Sequence, residues 1–184
     1  ISYLRTRARD RDYSATDLAG NDAALAFTGS SRVAVADFIW KWAPNGNPHD
    51  TNFKLQGEYF RRVEDGDLTY DRDGMLGLTR TAGYTSRQSG WYAQGVYQFM
   101  PLWRVGARYD RLEAGRIDYG ANSAFIAATD FAPKRYTAML DFTPSEFSRF
   151  RLQFAQSRTL PGVTDNQWFL QYILSLGAHG AHKY

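Results

Sequence analysis

The chain has 184 residues, 43% of them apolar and 22% charged, a balance that fits one ordinary domain. Its formal charge of +3 is far below the basic density of a nucleic-acid binder, and the lack of any Cys removes disulfides and thiolate metal sites. No apolar run approaches the roughly 20 residues of a spanning helix, since stretches such as Ala23 to Phe27 end after about five. What does stand out is a 16% aromatic share, with 12 Tyr, 12 Phe and 5 Trp, in a chain of mean hydropathy −0.50.

Taken in chain order, eight segments alternate with period two. Tyr3 to Arg9 sets Leu4, Thr6 and Ala8 opposite Arg5, Arg7 and Arg9, and Arg32 to Trp42 sets Ala34, Ala36, Phe38, Trp40 and Trp42 against Val33, Val35, Asp37, Ile39 and Lys41. Thr51 to Arg62 places Phe53, Leu55, Gly57 and Tyr59 against Lys54, Gln56, Glu58 and Phe60. In the next segment Trp91, Ala93, Gly95, Tyr97 and Phe99 alternate with Tyr92, Gln94, Val96 and Gln98. Leu102 to Leu112 opposes Trp103, Val105, Ala107 and Tyr109 to Arg104, Gly106, Arg108 and Asp110, and Arg135 to Phe142 opposes Tyr136, Ala138, Leu140 and Phe142 to Arg135, Thr137, Met139 and Asp141. Phe150, Leu152 and Phe154 face away from Arg149, Arg151 and Gln153; Trp168, Leu170, Tyr172, Leu174 and Leu176 face away from Phe169, Gln171, Ile173 and Ser175.

The links alternate in length. Short ones, Ala43 to Asp50, Met100-Pro101 and Thr143 to Phe147, carry the Pro and Asn-Gly chemistry of tight turns. Long ones are expected at about 10–31, 63–87, 114–134 and 158–166, which matches the short periplasmic turns and long external loops of outer-membrane barrels. The fold predicted is therefore all-β, an antiparallel transmembrane β-barrel of about eight strands, or the C-terminal part of a larger one, in the bacterial outer membrane. A soluble eight-stranded barrel with its apolar face inward has the same periodicity. The aromatic crowding at segment ends favours the membrane form, with a girdle of Trp40, Trp42, Trp91, Tyr97, Trp103, Tyr136, Trp168 and Tyr172.

Five strings add a resemblance: Asp37 to Asn47, Asn52 to Arg62, Ser89 to Pro101, Trp103 to Leu112 and Leu170 to Tyr184. In these the chain resembles the C-terminal half of a proteobacterial family labelled zinc-regulated TonB-dependent outer membrane receptors, similar in organisation to phosphate-selective porins. The resemblance implies further strands upstream and a C-terminal signal read by the barrel assembly machinery, with Tyr184 about eight residues beyond the last alternating strand, which ends near Leu176. A true TonB-dependent receptor also has a plug domain and a TonB-contacting segment, and this sequence contains neither.

With the apolar side toward lipid, the lumen receives Arg5, Arg7, Lys41, Lys54, Arg62, Arg104, Arg108, Arg135, Arg149 and Arg151 against Asp37, Glu58, Asp110 and Asp141. The pore-lining set expected is Lys54, Arg104, Arg108, Arg135, Arg149, Arg151, Glu58 and Asp110. Such a surplus of cations favours anions in a water-filled passage, although cross-strand pairing alone would also account for these charges. His179 and His182 form a His-x-x-His pair, a weak metal candidate because zinc wants three or four ligands. The acidic run Glu64, Asp65, Asp67, Asp71 and Asp73 matches no calcium-loop spacing and reads as a solvated loop. No His lies near a Ser or Asp at the loop-side rim, so neither catalysis nor a cofactor is expected.

The function expected is a porin-like channel for small solutes. The alternatives are a TonB-dependent-type uptake receptor whose plug lies elsewhere and a non-conducting structural or adhesion barrel. Expected partners are membrane lipid, lipopolysaccharide, the assembly machinery and the solutes, not nucleic acid.

Overall fold

The structure is a computed structural model that describes residues 1–175. Eight strands form one antiparallel sheet in sequential order: β1 (Ser2–Thr16), β2 (Asp22–Trp42), β3 (Asn52–Tyr70), β4 (Arg80–Met100), β5 (Trp103–Asp118), β6 (Lys134–Ser145), β7 (Ser148–Arg158) and β8 (Asp165–Leu174). The only helical pieces among the described residues are two 3-10 turns, Pro44–Gly46 and Gly120–Ala124. β1 and β8 end the strand order and the sheet does not close on itself; the antiparallel eight-stranded all-β sheet agrees with the expectation, which allowed for the C-terminal part of a larger barrel. No described helix is long and apolar enough to cross a membrane.

All eight alternating segments are strands within the described residues, Leu176 of the eighth lying outside them, but several run well past the bounds read from period two. Much of the expected long links is strand: the actual connections are 17–21, 71–79, 119–133 and 159–164. The reason is chemical. In Ala23 to Phe27 both faces are apolar or small, and Glu64 to Asp67 is rich in acids and Gly, so neither stretch shows the alternation that marks a half-buried strand.

The chain divides into two compact units. Unit 1 contains Ile1–Asp37, Glu58–Trp91 and Arg111–Pro133; unit 2 contains Phe38–Gly57, Tyr92–Asp110 and Lys134–Tyr184.

Unit 1 has a conventional core of Ala23, Leu25, Phe27, Leu68, Tyr70, Tyr84 and Ile126, all buried, with Tyr13, Ile117, Tyr119 and Phe125 packed against it. Phe27 meets Tyr84 edge-on at 5.5 Å, and Phe125 stacks on Tyr70 at 5.0 Å. The 119–133 connection is folded onto this core: Asn122 is fully buried and its Nδ2 donates to the Leu68 carbonyl at 2.8 Å, while the Leu18 amide donates to the Phe125 carbonyl. Glu64, 1% exposed, accepts from Arg11 at 2.7 Å and Arg62 at 3.1 Å, and Arg11 also lies over the Phe27 ring. The opposite strand face carries exposed Arg5, Arg7, Arg32, Arg61, Asp65, Thr85 and Arg87.

A bulge decides which residues of β1 join that core. Ala8 pairs with Gly29 and Arg11 with Phe27, so Arg9 and Asp10 together oppose Thr28. Asp10 takes a positive φ of 48°, its amide donating to Thr28 Oγ1 at 3.0 Å. The extra residue shifts the parity, and Arg11, Tyr13 and Ala15 fall on the face of Phe27, Leu25 and Ala23. Before the bulge Leu4 pairs with Val33, which places Arg5 and Arg7 on the other face, beside Arg32 and Ser30. The expectation that Arg5 and Arg7 share the face of the other lumen cations is therefore corrected. Two glycines let backbones approach here: a Cβ at Gly29 would stand 2.5 Å from the Asp65 carbonyl oxygen and 2.7 Å from the Gly66 Cα.

Unit 2 has the reverse distribution. Phe38, Trp40, Trp42, Tyr97, Phe99, Val105, Tyr136, Phe150, Leu152, Trp168, Leu170 and Tyr172 are exposed. They belong to one face of each strand, and the charged residues between them belong to the other.

Candidate functional site

The charged face of unit 2 lines a cavity of about 630 Å³. Lys41 at the end of β2, Lys54 at the start of β3, Arg104 at the start of β5, and Arg149 and Arg151 on β7 all contribute to its wall, and Asp141 on β6 is the one carboxylate there. Alternation explains the convergence. On adjacent strands, residues two apart share a face, so the side that carries a Lys or Arg on one strand meets the corresponding side of the next.

Asp141 is 2% exposed and directly opposite Arg151 in the β6–β7 register. Arg151 donates from Nε at 2.7 Å and from Nη2 at 2.8 Å, and Arg149 stands 3.8 Å away. This bidentate arrangement is the geometry in which a buried carboxylate is stable. A second anchored point is Gln98, which is buried. It accepts from Asn52 at 3.1 Å and from Arg104 Nε at 3.0 Å, and its own amide donates to the His49 carbonyl. Gln98 thus ties the 43–51 connection to β4 and fixes the direction of Arg104. Among the described residues, Lys41, Lys54 and Arg104 have no carboxylate partner.

Four of the eight expected pore-lining residues, Lys54, Arg104, Arg149 and Arg151, meet in this cavity. The others stand elsewhere. Arg108 clamps Asp110 with three bonds of 2.6 to 3.0 Å and lies 3.7 Å over the Tyr92 ring, and Arg135 donates to Gln167 at 3.2 Å. Glu58 belongs to unit 1. Asn52 and Gln98, which organise the site, escaped sequence reasoning because neutral amides on a polar face carry no charge signal.

The expected girdle residues form rows in unit 2. Trp103 meets Phe142 at 4.6 Å and Phe150 meets Tyr172 at 4.8 Å, Phe142 and Phe150 being cross-strand partners. Trp40 and Tyr97 both pack on Phe53, and Trp42 is exposed beside them in β2. Tyr109 with Tyr136 and Phe154 with Trp168 make further contacts of 4.8 Å toward the other strand ends. Trp91 is half-buried in the middle of β4, where the unit 1 segment of that strand ends. His179, His182 and Tyr184 lie outside the described residues. Among the described residues no three His, Asp or Glu side chains converge as metal ligands.

The chain is similar over its whole length to an uncharacterized protein of Aquifex aeolicus (strain VF5), with 28% identity. The match takes in 36% of that protein, so the chain spans about a third of the length of the curated relative it matches. No protein-family model matches the chain, and no solved structure matches it.

Proposed function

We propose that the chain is the C-terminal portion of a bacterial outer-membrane β-barrel that works as a porin-like channel for small solutes and favours anions. The observation that carries this reading is the reversal in unit 2, where Trp, Tyr, Phe and Leu side chains are exposed while Lys and Arg line a cavity. In water such a face would aggregate. In a bilayer it is the lower-energy arrangement, because lipid receives apolar side chains and the sheet satisfies its backbone internally. The apolar sections, such as Trp91 to Phe99 and Trp103 to Tyr109, approach the 9 to 11 residues with which a tilted strand crosses the hydrocarbon.

Unit 1, with a polar outer face and its own core, suits the aqueous side, next to lipopolysaccharide. The open sheet and the greater length of the relative leave room for further strands, and a wider barrel leaves a lumen that eight strands would fill with side chains. This is also the organisation expected from the resemblance to plug-less, porin-like receptors.

The energetics favour passage over capture. A unit anion about 4 Å from one cation gains only about 1 kcal/mol in bulk water and about 4 kcal/mol at an effective dielectric of roughly 20. Unpaired Lys41, Lys54 and Arg104 in a wet cavity therefore concentrate anions and still release them. Reversal potentials of the full-length protein in planar bilayers test the reading. A steady ohmic current with anion preference is expected, and Lys54→Ser with Arg104→Ser should reduce that preference severalfold. Cation preference or no current would overturn it, and binding without current would identify a receptor.

A further inference from the structure

The aromatic face of β6, β7 and β8, all three in unit 2, is graded along the strands, and the register fixes its rows. Phe142, Phe150 and Tyr172 stand side by side near the 146–147 turn, followed by Leu140, Leu152 and Leu170 and then by Ala138, Phe154 and Trp168. The next row is polar: Tyr136, Gln156 and Asn166, in which Gln156 Nε2 donates to Asn166 Oδ1 at 3.1 Å. That bond leaves the Gln156 Oε1 acceptor and the Asn166 Nδ2 donor without partners among the described residues. The last row sets Lys134 directly opposite Arg158. Their neighbours Arg135 and Ser157 belong to the other face, where Arg135 donates to Gln167.

Like charges directly opposite each other on adjacent strands destabilise the pair unless an anion joins them. Neither Lys134 nor Arg158 has a carboxylate within ion-pair reach among the described residues. Direct opposition puts their Cα atoms about 4.5 to 5.5 Å apart, so both side chains can meet on one anion. A phosphodiester brings a single negative charge, whereas a phosphate monoester brings about 1.5 to 2 and neutralises both cations. Rows lie two residues apart, about 6.8 Å along a strand, and one interfacial layer of a bilayer is roughly 5 to 7 Å deep. The amide row therefore falls at headgroup level beyond Trp168, and the cations lie just outside it. A free anion would use only the last row and a neutral lipid all but the last; an amphiphile with an anionic end uses every row. The cationic row lies toward the 159–164 connection, which is longer than the 146–147 turn, and in outer-membrane barrels the longer connections are external. We infer that this face binds a phosphorylated glycolipid of the external leaflet. Lys134 and Arg158 hold a phosphate monoester, Gln156 and Asn166 meet the sugar, and Phe154, Trp168, Leu152 and Leu170 lie under the acyl chains. The inference rests on the reading that this face of unit 2 meets lipid, and it does not involve the solute path.

Native mass spectrometry of the full-length protein released from detergent micelles, titrated with lipid A, phosphatidylglycerol, phosphatidylcholine or inorganic phosphate, tests it without requiring conduction. Lipid A should be held at least tenfold more tightly than phosphatidylglycerol, and phosphatidylcholine and inorganic phosphate more weakly still. Lys134→Gln with Arg158→Gln should bring lipid A down to the level of phosphatidylglycerol and leave conductance unchanged. The wild-type series decides even if that variant fails to fold. Phosphatidylglycerol or inorganic phosphate held as tightly as lipid A, or lipid A binding unaffected by the double substitution, would overturn the site. A protein that conducts without this preference refutes the site alone, and one that shows the preference without current refutes the channel alone. Solubility without detergent would refute the membrane reading on which both rest.

Discussion

Strand β4 contains two opposite arrangements. Between Arg80 and Gly90, in unit 1, Tyr84 and Ser86 are buried while Thr85 and Arg87 are exposed. Between Tyr92 and Met100, in unit 2, Tyr97 and Phe99 are exposed while Gln94 and Val96 face the cavity. The alternation is the same in both; what changes is which face holds the apolar groups. Unit 1 buries its aromatics as a water-soluble protein does, and unit 2 displays them. Under the membrane proposal the medium against the outer face of this strand changes along its length, from water beside unit 1 to hydrocarbon beside unit 2.

The contrast is testable at each unit. The largest expected effect is in unit 1, where Phe27→Ala removes the fully buried ring at the centre of the core. A loss of about 3 to 5 kcal/mol is expected, because the surrounding strands cannot collapse into the space. Hydrogen exchange should locate the loosening in the amides of unit 1. Equal loosening of β7 and β8 would mean that the two units are one cooperative core.

Next comes the exposed face of unit 2. Leu152→Arg, between Phe150 and Phe154 on β7, should cost about 2 to 4 kcal/mol in urea titrations of protein refolded in lipid vesicles. Thr85→Arg, on the exposed face of unit 1, should stay within about 0.5 kcal/mol. If Leu152→Arg proved equally neutral, its face would be in water and the comparison would break.

The smallest effect is a pH dependence confined to the 71–79 connection. The buried Asp71 carboxylate accepts the amides of Leu76 at 3.0 Å and Leu78 at 2.7 Å, and the first of these bonds holds its pKa below the usual carboxylate value. A depressed folded pKa stabilises the connection at pH values above the unfolded pKa of about 3.9, and the contribution is lost as pH falls through the folded value. Protease nicking near Met75 should therefore rise on acidification below about pH 4 in the wild type. Asp71→Asn should be nicked faster at neutral pH and lose that acid-side increase.

Much of the fold was legible because period two leaves a local mark. Every segment in which a charged or amide residue alternates with an aromatic, from Lys54-Leu55-Gln56 to Leu170-Gln171-Tyr172, is a strand. The extensions were not legible, since Ala23 to Phe27 has no polar face and the Arg9-Asp10 bulge changes parity inside a strand. Within the site, Lys54, Arg104, Arg149 and Arg151 could be read as one face from charge alone. That Arg108 would turn to Asp110, or that Gln98 would hold Arg104, depends on side-chain reach across strands.

Spacing along the chain was enough to place the central part of each of the eight strands and to divide it into two chemically distinct faces, because period two is a local property. Only the tertiary structure decided which face is buried in each unit, that Asp141 is committed to Arg151, and that the cations of β2, β3 and β5 share one cavity. Those outcomes depend on neighbours far apart in sequence, and on burial, which no local pattern specifies.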